Sequence, residues 1–192
     1  DRRHIQDEDV LGFKAALDAP LNLEMACVPE IVELACAVEP AEVCLVPEKR
    51  EELTTEGGLD VAGSEELVSD VVCRLQERGI AVSLFIDPDC HQIVAALRTG
   101  AGYVELHTGS FCNAAGAEAR VELDRLIAAA TYGHGLEINI NAGHGINMGN
   151  IDSILEIPYM DTLNIGHSIV ARAVMIGLDA AVKEMIAALQ RY

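Results

Sequence analysis

The run from Ile80 to His107, IAVSLFIDPDCHQIVAALRTGAGYVELH, decides the fold. It opens on a short apolar stretch rich in β-branched residues, passes through an amphipathic pattern over Cys90 to Leu97, and closes on a second apolar stretch, Tyr103 to His107. Strand, helix and strand in that order form a βαβ unit, whose two strands run parallel. The same alternation extends in both directions. Strands are expected at Leu21 to Ala26, Val43 to Val46, Ile80 to Ile86, Tyr103 to His107, Leu136 to Ile140 and Thr162 to Ile165. Helices are expected at Glu8 to Leu17, Pro29 to Val38, Glu65 to Arg78, Cys90 to Leu97, Glu118 to Ala130, Asn150 to Ile157, and along Ser168 to Leu189. Six βα units thus follow a leading helix.

A parallel sheet covered by helices is either an open doubly wound sheet or a closed (β/α)₈ barrel. The units recur every ~30 residues without the GxGxxG fingerprint of a dinucleotide-binding half, which favours the barrel. So does the segment after the last strand. It reads as a short helix, His167 to Ile176, ended by Gly177 and followed by a second helix capped near Asp179. A short extra helix whose N-terminus faces a phosphate is a recurrent barrel device. Six units extrapolate to roughly 256 residues for eight, a typical barrel size. The expectation is an α/β (β/α)₈ TIM barrel in which residues 1–192 form one domain, N-terminally incomplete, with the first strand, first helix and second strand missing from the chain.

Composition narrows the function. The 192 residues carry 31 Asp plus Glu against 13 Lys plus Arg, a formal charge of -18, and are 51% hydrophobic. Such an acidic balance opposes binding to nucleic acid or an anionic membrane, which require a basic face. No apolar run reaches the ~18 residues of a membrane span. Cys27, Cys36, Cys44, Cys73, Cys90 and Cys112 form no CxxC pair and fall mostly within apolar patterns. They are read as small buried hydrophobes in a reducing compartment, the cytoplasm. The six histidines show no HxH or HxxxH pair, so no metal site is expected.

In parallel α/β proteins reactive groups stand at the carboxyl ends of strands. Glu24 lies inside the apolar run LNLEMA, where alternation places it with Asn22 on the barrel-facing side; burial there would raise its pKa towards that of a base useful near neutrality. A structural ion pair with Lys49 or another cation is the plainer reading. Glu105, in YVELH, poses the same question. His144 sits in a Gly143-His144-Gly145 turn, and Asn164-Ile165-Gly166-His167 repeats that chemistry while opening a helix, so the two loops look like a phosphate site. Val46 to Gly63 is long for a βα connection and reads as a lid or as a solvated charged loop. His4, beside Arg2 and Arg3, could assist an anion.

These residues carry a specific likeness. The segments DRRHI (1–5), NLEMA (22–26), CLVPEKREELTTEGGLDVAG (44–63), VSLFIDPD (82–89), VELHTG (104–109), NAGHGIN (141–147) and LNIGHSIVARAVMIGL (163–178) closely resemble the pyridoxine 5'-phosphate synthase family. The resemblance implies a (β/α)₈ barrel, generally a homo-octamer. It implies condensation of 3-amino-2-oxopropyl phosphate with 1-deoxy-D-xylulose 5-phosphate, releasing phosphate and water, with no cofactor or metal. By motif, Glu24 corresponds to the proton acceptor, His144 to the proton donor and Glu105 to the carboxylate that stabilises the transition state. His4 and Thr54 correspond to residues holding the deoxyxylulose phosphate, and Gly145, Gly166 and His167 to the amide-rich site for the aminoketone phosphate. The family's Asn, His and Arg set and its His-x-Arg ahead of DRRHI have no counterpart in this chain, which is expected to be inactive without them. The rival from another class is an inactive fragment or a non-catalytic phosphate-ligand-binding barrel. An aldolase or isomerase would want a Schiff-base lysine inside a strand, and Lys14, Lys49 and Lys183 lie outside the expected strands.

Overall fold

The computed structural model describes residues 2, 4–48 and 57–190. They fall into two compact units, Asp1–Glu105 and Leu106–Tyr192. The first contains α1 (Asp7–Ala16), β1 (Asn22–Met25), α2 (Pro29–Val38), β2 (Glu42–Leu45), α3 (Glu65–Gln76), β3 (Ala81–Ile86), α4 (Cys90–Thr99) and most of β4 (Tyr103–His107). The second contains the end of β4, then α5 (Gly109–Asn113), α6 (Gly116–Gly135), β5 (Asn139–Gly143), α7 (Ile151–Ile154), β6 (Met160–Asn164), α8 (His167–Ile176) and α9 (Leu178–Leu189).

Neighbouring strands follow chain order, β1-β2-β3-β4 in the first unit and β4-β5-β6 in the second. The pairs β1 with β2, β2 with β3, and β5 with β6 are parallel. Register sorts the side chains by face. Val43 pairs with Val82 and Leu45 with Leu84, and all four are fully or almost fully buried. Each such side chain contributes roughly 1.5–3 kcal/mol on leaving water. The alternate positions form another row, in which Glu24 is the register partner of Cys44, and Cys44 of Ser83. One face of the strands is therefore hydrocarbon, and the other carries chemistry.

Local signals place the helices. Pro29 opens α2, where its missing N–H costs nothing. The Asp89 carboxylate caps α4 by accepting the His91 amide at 2.6 Å, and Gly100 ends that helix at φ 81°. Gly177, at φ 85°, separates α8 from α9 as the sequence leads one to expect. The second helix starts at Leu178, however, and Asp179 lies in its first turn, paired with Lys183 at 2.8 Å.

Most boundaries shift by a residue or two, and the largest departures lie between α5 and α7. Helix α6 runs on through an alanine-rich stretch to Gly135, and the chain turns at Glu137 (φ 64°), so β5 begins at Asn139 rather than Leu136. Helix α5 has no periodic signal in its five residues, and α7 is only four residues long. The cysteines differ too: only Cys44 is buried, Cys27, Cys36 and Cys112 are partly covered, and Cys73 and Cys90 are exposed. Cys90 opens α4 between Asp89 and His91, a polar setting that leaves it in solvent.

Candidate active site

In the first unit the site is built on the row that register defines. The Cys44 thiol donates to Glu105 Oε2 at 3.3 Å, and Glu105 is 3% exposed. Glu24 stands opposite Cys44 on β1. Burial, then the charges of Glu105 and Glu24, hold the Cys44 thiol well above its ordinary value. Cys27, just past β1, is pushed up to about 11 by burial alone. A buried group that keeps its proton more tightly when folded stabilises the fold below the ordinary thiol range, and that stability is lost as pH rises through the folded value. At pH 8, iodoacetamide is therefore expected to label Cys73 and Cys90 well before Cys44, as read by peptide mass spectrometry. Early labelling of Cys44 would show its thiol to be accessible and ionised.

Glu24 corrects an expectation. It is exposed, not buried, because among the described residues β1 pairs with β2 alone and its other side opens into a cavity of about 240 Å³. That cavity is also lined by Arg2, His4, Gln6 and Pro47. Glu24 and His4 thus line one cavity. The ion pair with Lys49, the Thr54 assignment and the lid all involve residues 49–56, outside the described residues. Beyond that stretch, Gly58 donates its amide to Asp87 Oδ1 at 3.0 Å, and Gln92 Oε1 accepts the amides of Val61 and Ala62 at 2.9 and 3.1 Å.

In the second unit, His144 follows β5 directly. Its φ is 82°, in the left-handed region that costs an L-residue about 1–2 kcal/mol. Gly145 continues at φ 79°, and a Cβ there would lie 2.7 Å from Cys112 Cβ. The Gly145 carbonyl accepts the side-chain amides of Asn147 and Asn150, both at 3.1 Å. His107, 3% exposed, meets the His144 ring edge to face at 5.2 Å between centroids. Gly109 lies beneath both, since a Cβ there would approach His107 Nε2 to 2.4 Å and His144 Cδ2 to 3.0 Å. Ser168, in the first turn of α8, donates its hydroxyl to the Ile146 carbonyl at 2.7 Å. That bond ties the His144-Gly145 turn to the helix opened by Gly166 and His167. The amides that open a helix are groups of the kind that can hold an anion.

Comparison with known proteins decides the family. Residues 1–191 match the family described as pyridoxal phosphate biosynthesis protein PdxJ. The chain belongs to the PdxJ family. It is 50% identical over 192 residues to the pyridoxine 5'-phosphate synthase of Akkermansia muciniphila, covering 100% of this chain and 78% of that one. It is 53% identical over 186 residues to the synthase of Idiomarina loihiensis, covering 96% and 77%. Against a synthase of Synechococcus sp. the identity is 54% over 186 residues, covering 96% and 78%. Among solved structures, the tryptophan synthase A-subunit from Pyrococcus furiosus aligns with a TM-score of 0.59 at 16% identity, covering 91% of this chain and 67% of that one. An O-GlcNAc hydrolase of Thermobaculum terrenum aligns with a TM-score of 0.51 at 11% identity, covering 74% and 40%. These two likenesses show the fold alone, α/β and TIM-barrel-like.

In this PdxJ family member, several side chains to which the sequence reading gave no role support the arrangement. Cys44, Thr108, Asn147, Asn150 and Ser168 all hold a site residue or its loop by hydrogen bonds. Asn and Ser after a glycine turn are the residues that bond to nearby backbone, and that signal could have found three of them. Among the described residues no group of three or more His, Cys, Asp or Glu could hold a metal ion, and no helix is long and apolar enough to cross a membrane.

Proposed function

We propose that the chain acts as a pyridoxine 5'-phosphate synthase, condensing 3-amino-2-oxopropyl phosphate with 1-deoxy-D-xylulose 5-phosphate to give pyridoxine 5'-phosphate, phosphate and water. The observation that carries this reading is the match of residues 1–191 to the PdxJ family, supported by relatives of that name at about half identity. The amine of one substrate and the ketone of the other condense to a Schiff base, releasing water. Glu24 accepts a proton and His144 donates one in the steps that eliminate phosphate and close the ring. Glu105 stabilises the cationic imine character that develops. His4 and Thr54 hold the deoxyxylulose phosphate, while Gly145, Gly166 and His167 hold the aminoketone phosphate and so supply orientation. The architecture belonging to this reading is a closed (β/α)₈ barrel assembled as a homo-octamer in the cytoplasm, one domain over residues 1–192, using no cofactor or metal. In this reading the phosphorylated substrates bind at the start of α8 and in the cavity where Glu24 meets His4 and Arg2, the latter paired with Asp7. Incubating the full-length enzyme with both substrates tests the activity. Pyridoxine 5'-phosphate should form only when both are present, and its absence under conditions where both bind would leave a phosphate-binding barrel instead.

A further inference from the structure

We infer that Thr108 is a positioning residue for His144, its buried hydroxyl fixing the backbone on both sides of the imidazole; this rests on the reading of His144 as the proton donor. Thr108 is fully buried. Its Oγ1 donates to the Gly143 carbonyl at 2.7 Å and to the His144 carbonyl at 2.5 Å. These two carbonyls belong to the peptide planes immediately before and after the His144 Cα. A single hydroxyl proton shared between them constrains φ and ψ of that one residue together. The Thr108 amide adds a third bond, to the Gly143 carbonyl at 2.9 Å.

What is held needs holding. His144 has φ 82°, a conformation that a β-carbon disfavours and that persists only where surroundings over-determine it. Thr108 itself cannot drift, because its carbonyl accepts the Cys112 amide at 2.9 Å as α5 begins. The ring of His144 is then set on His107 and over Gly109, where no side chain intrudes. A residue that the motif VELHTG leaves without a role thus becomes the fixed point between β4 and the histidine turn after β5. Catalysis by a proton donor is sensitive to placement, and a shift of about 1 Å can cost 10²-fold in rate.

Thr108→Val preserves shape and removes the hydroxyl; Thr108→Ser preserves the hydroxyl and removes a methyl. In the full-length enzyme, Thr108→Val is expected to lower kcat at least about tenfold while KM for either substrate stays within about threefold. Thr108→Ser should keep kcat within about threefold. Thr108→Ala serves if Val is not accommodated. A folded variant without the hydroxyl that keeps parental kcat overturns the inference, and so does a folded Thr108→Ser that loses it. If neither Val nor Ala folds, the hydroxyl serves the fold and the positioning role is overturned. His144→Asn, measured alongside, separates the two levels. Parental turnover in that variant removes the role of His144 itself, whereas lost turnover there with intact turnover in Thr108→Val removes only the role of Thr108.

Discussion

Glu24→Gln is expected to abolish pyridoxine 5'-phosphate formation, by about 10²–10⁴-fold, while phosphate binding stays within a few-fold of the parent. The substitution is nearly isosteric and takes away only the ability to accept a proton. Glu24 is exposed on the side of β1 that opens into the cavity shared with His4, so no buried partner is orphaned and the fold should be unaffected. Its charge does act on the interior, since it is one of the two carboxylates that keep the Cys44 thiol protonated. Removing that charge should let Cys44 ionise at somewhat lower pH, still hindered by burial and Glu105. Turnover measured under saturating substrates, with isothermal titration of inorganic phosphate as the binding control, checks both halves. Unchanged turnover would sink the assignment of Glu24.

His144→Asn should cost a comparable factor in kcat, about 10²–10⁴-fold. Asparagine tolerates the left-handed backbone better than most residues, so the φ of 82° at position 144 remains available to it. The Thr108 bond to the carbonyl at 144 is likewise indifferent to the side chain. What disappears is the imidazole with its contacts, among them the edge-to-face contact with His107, worth about 0.5–1.5 kcal/mol. The melting temperature should therefore fall by only a few degrees while the rate collapses. A variant that melts normally and turns over normally would contradict the role given to His144.

The strand-helix-strand alternation from Ile80 to His107 was legible because short, continuous apolar runs flank a segment with a 3.6-residue period. Gly177 was equally plain as the break between the last two helices. The end of α6 was not, since Leu136 to Ile140 reads as a strand by composition, yet the alanine-rich helix before it extends until Glu137 turns the chain. The exposure of Glu24 could not be read from alternation, which assigns a face but not what packs beside the strand. Cys44 is buried, as its neighbours Val43 and Leu45 led one to expect, but only register sets it between Glu24 and Ser83, and only the fold brings it into bonding reach of Glu105. Thr108 was invisible for a related reason. Its two acceptors lie 35 and 36 residues away, and nothing local marks that contact.

Phosphorus NMR of the enzyme with both substrates follows the condensation directly. One equivalent of inorganic phosphate is expected for each pyridoxine 5'-phosphate formed, and neither when one substrate is withheld. Resonances of both substrates broadened by binding, with no phosphate released and no new phosphate ester, would contradict it.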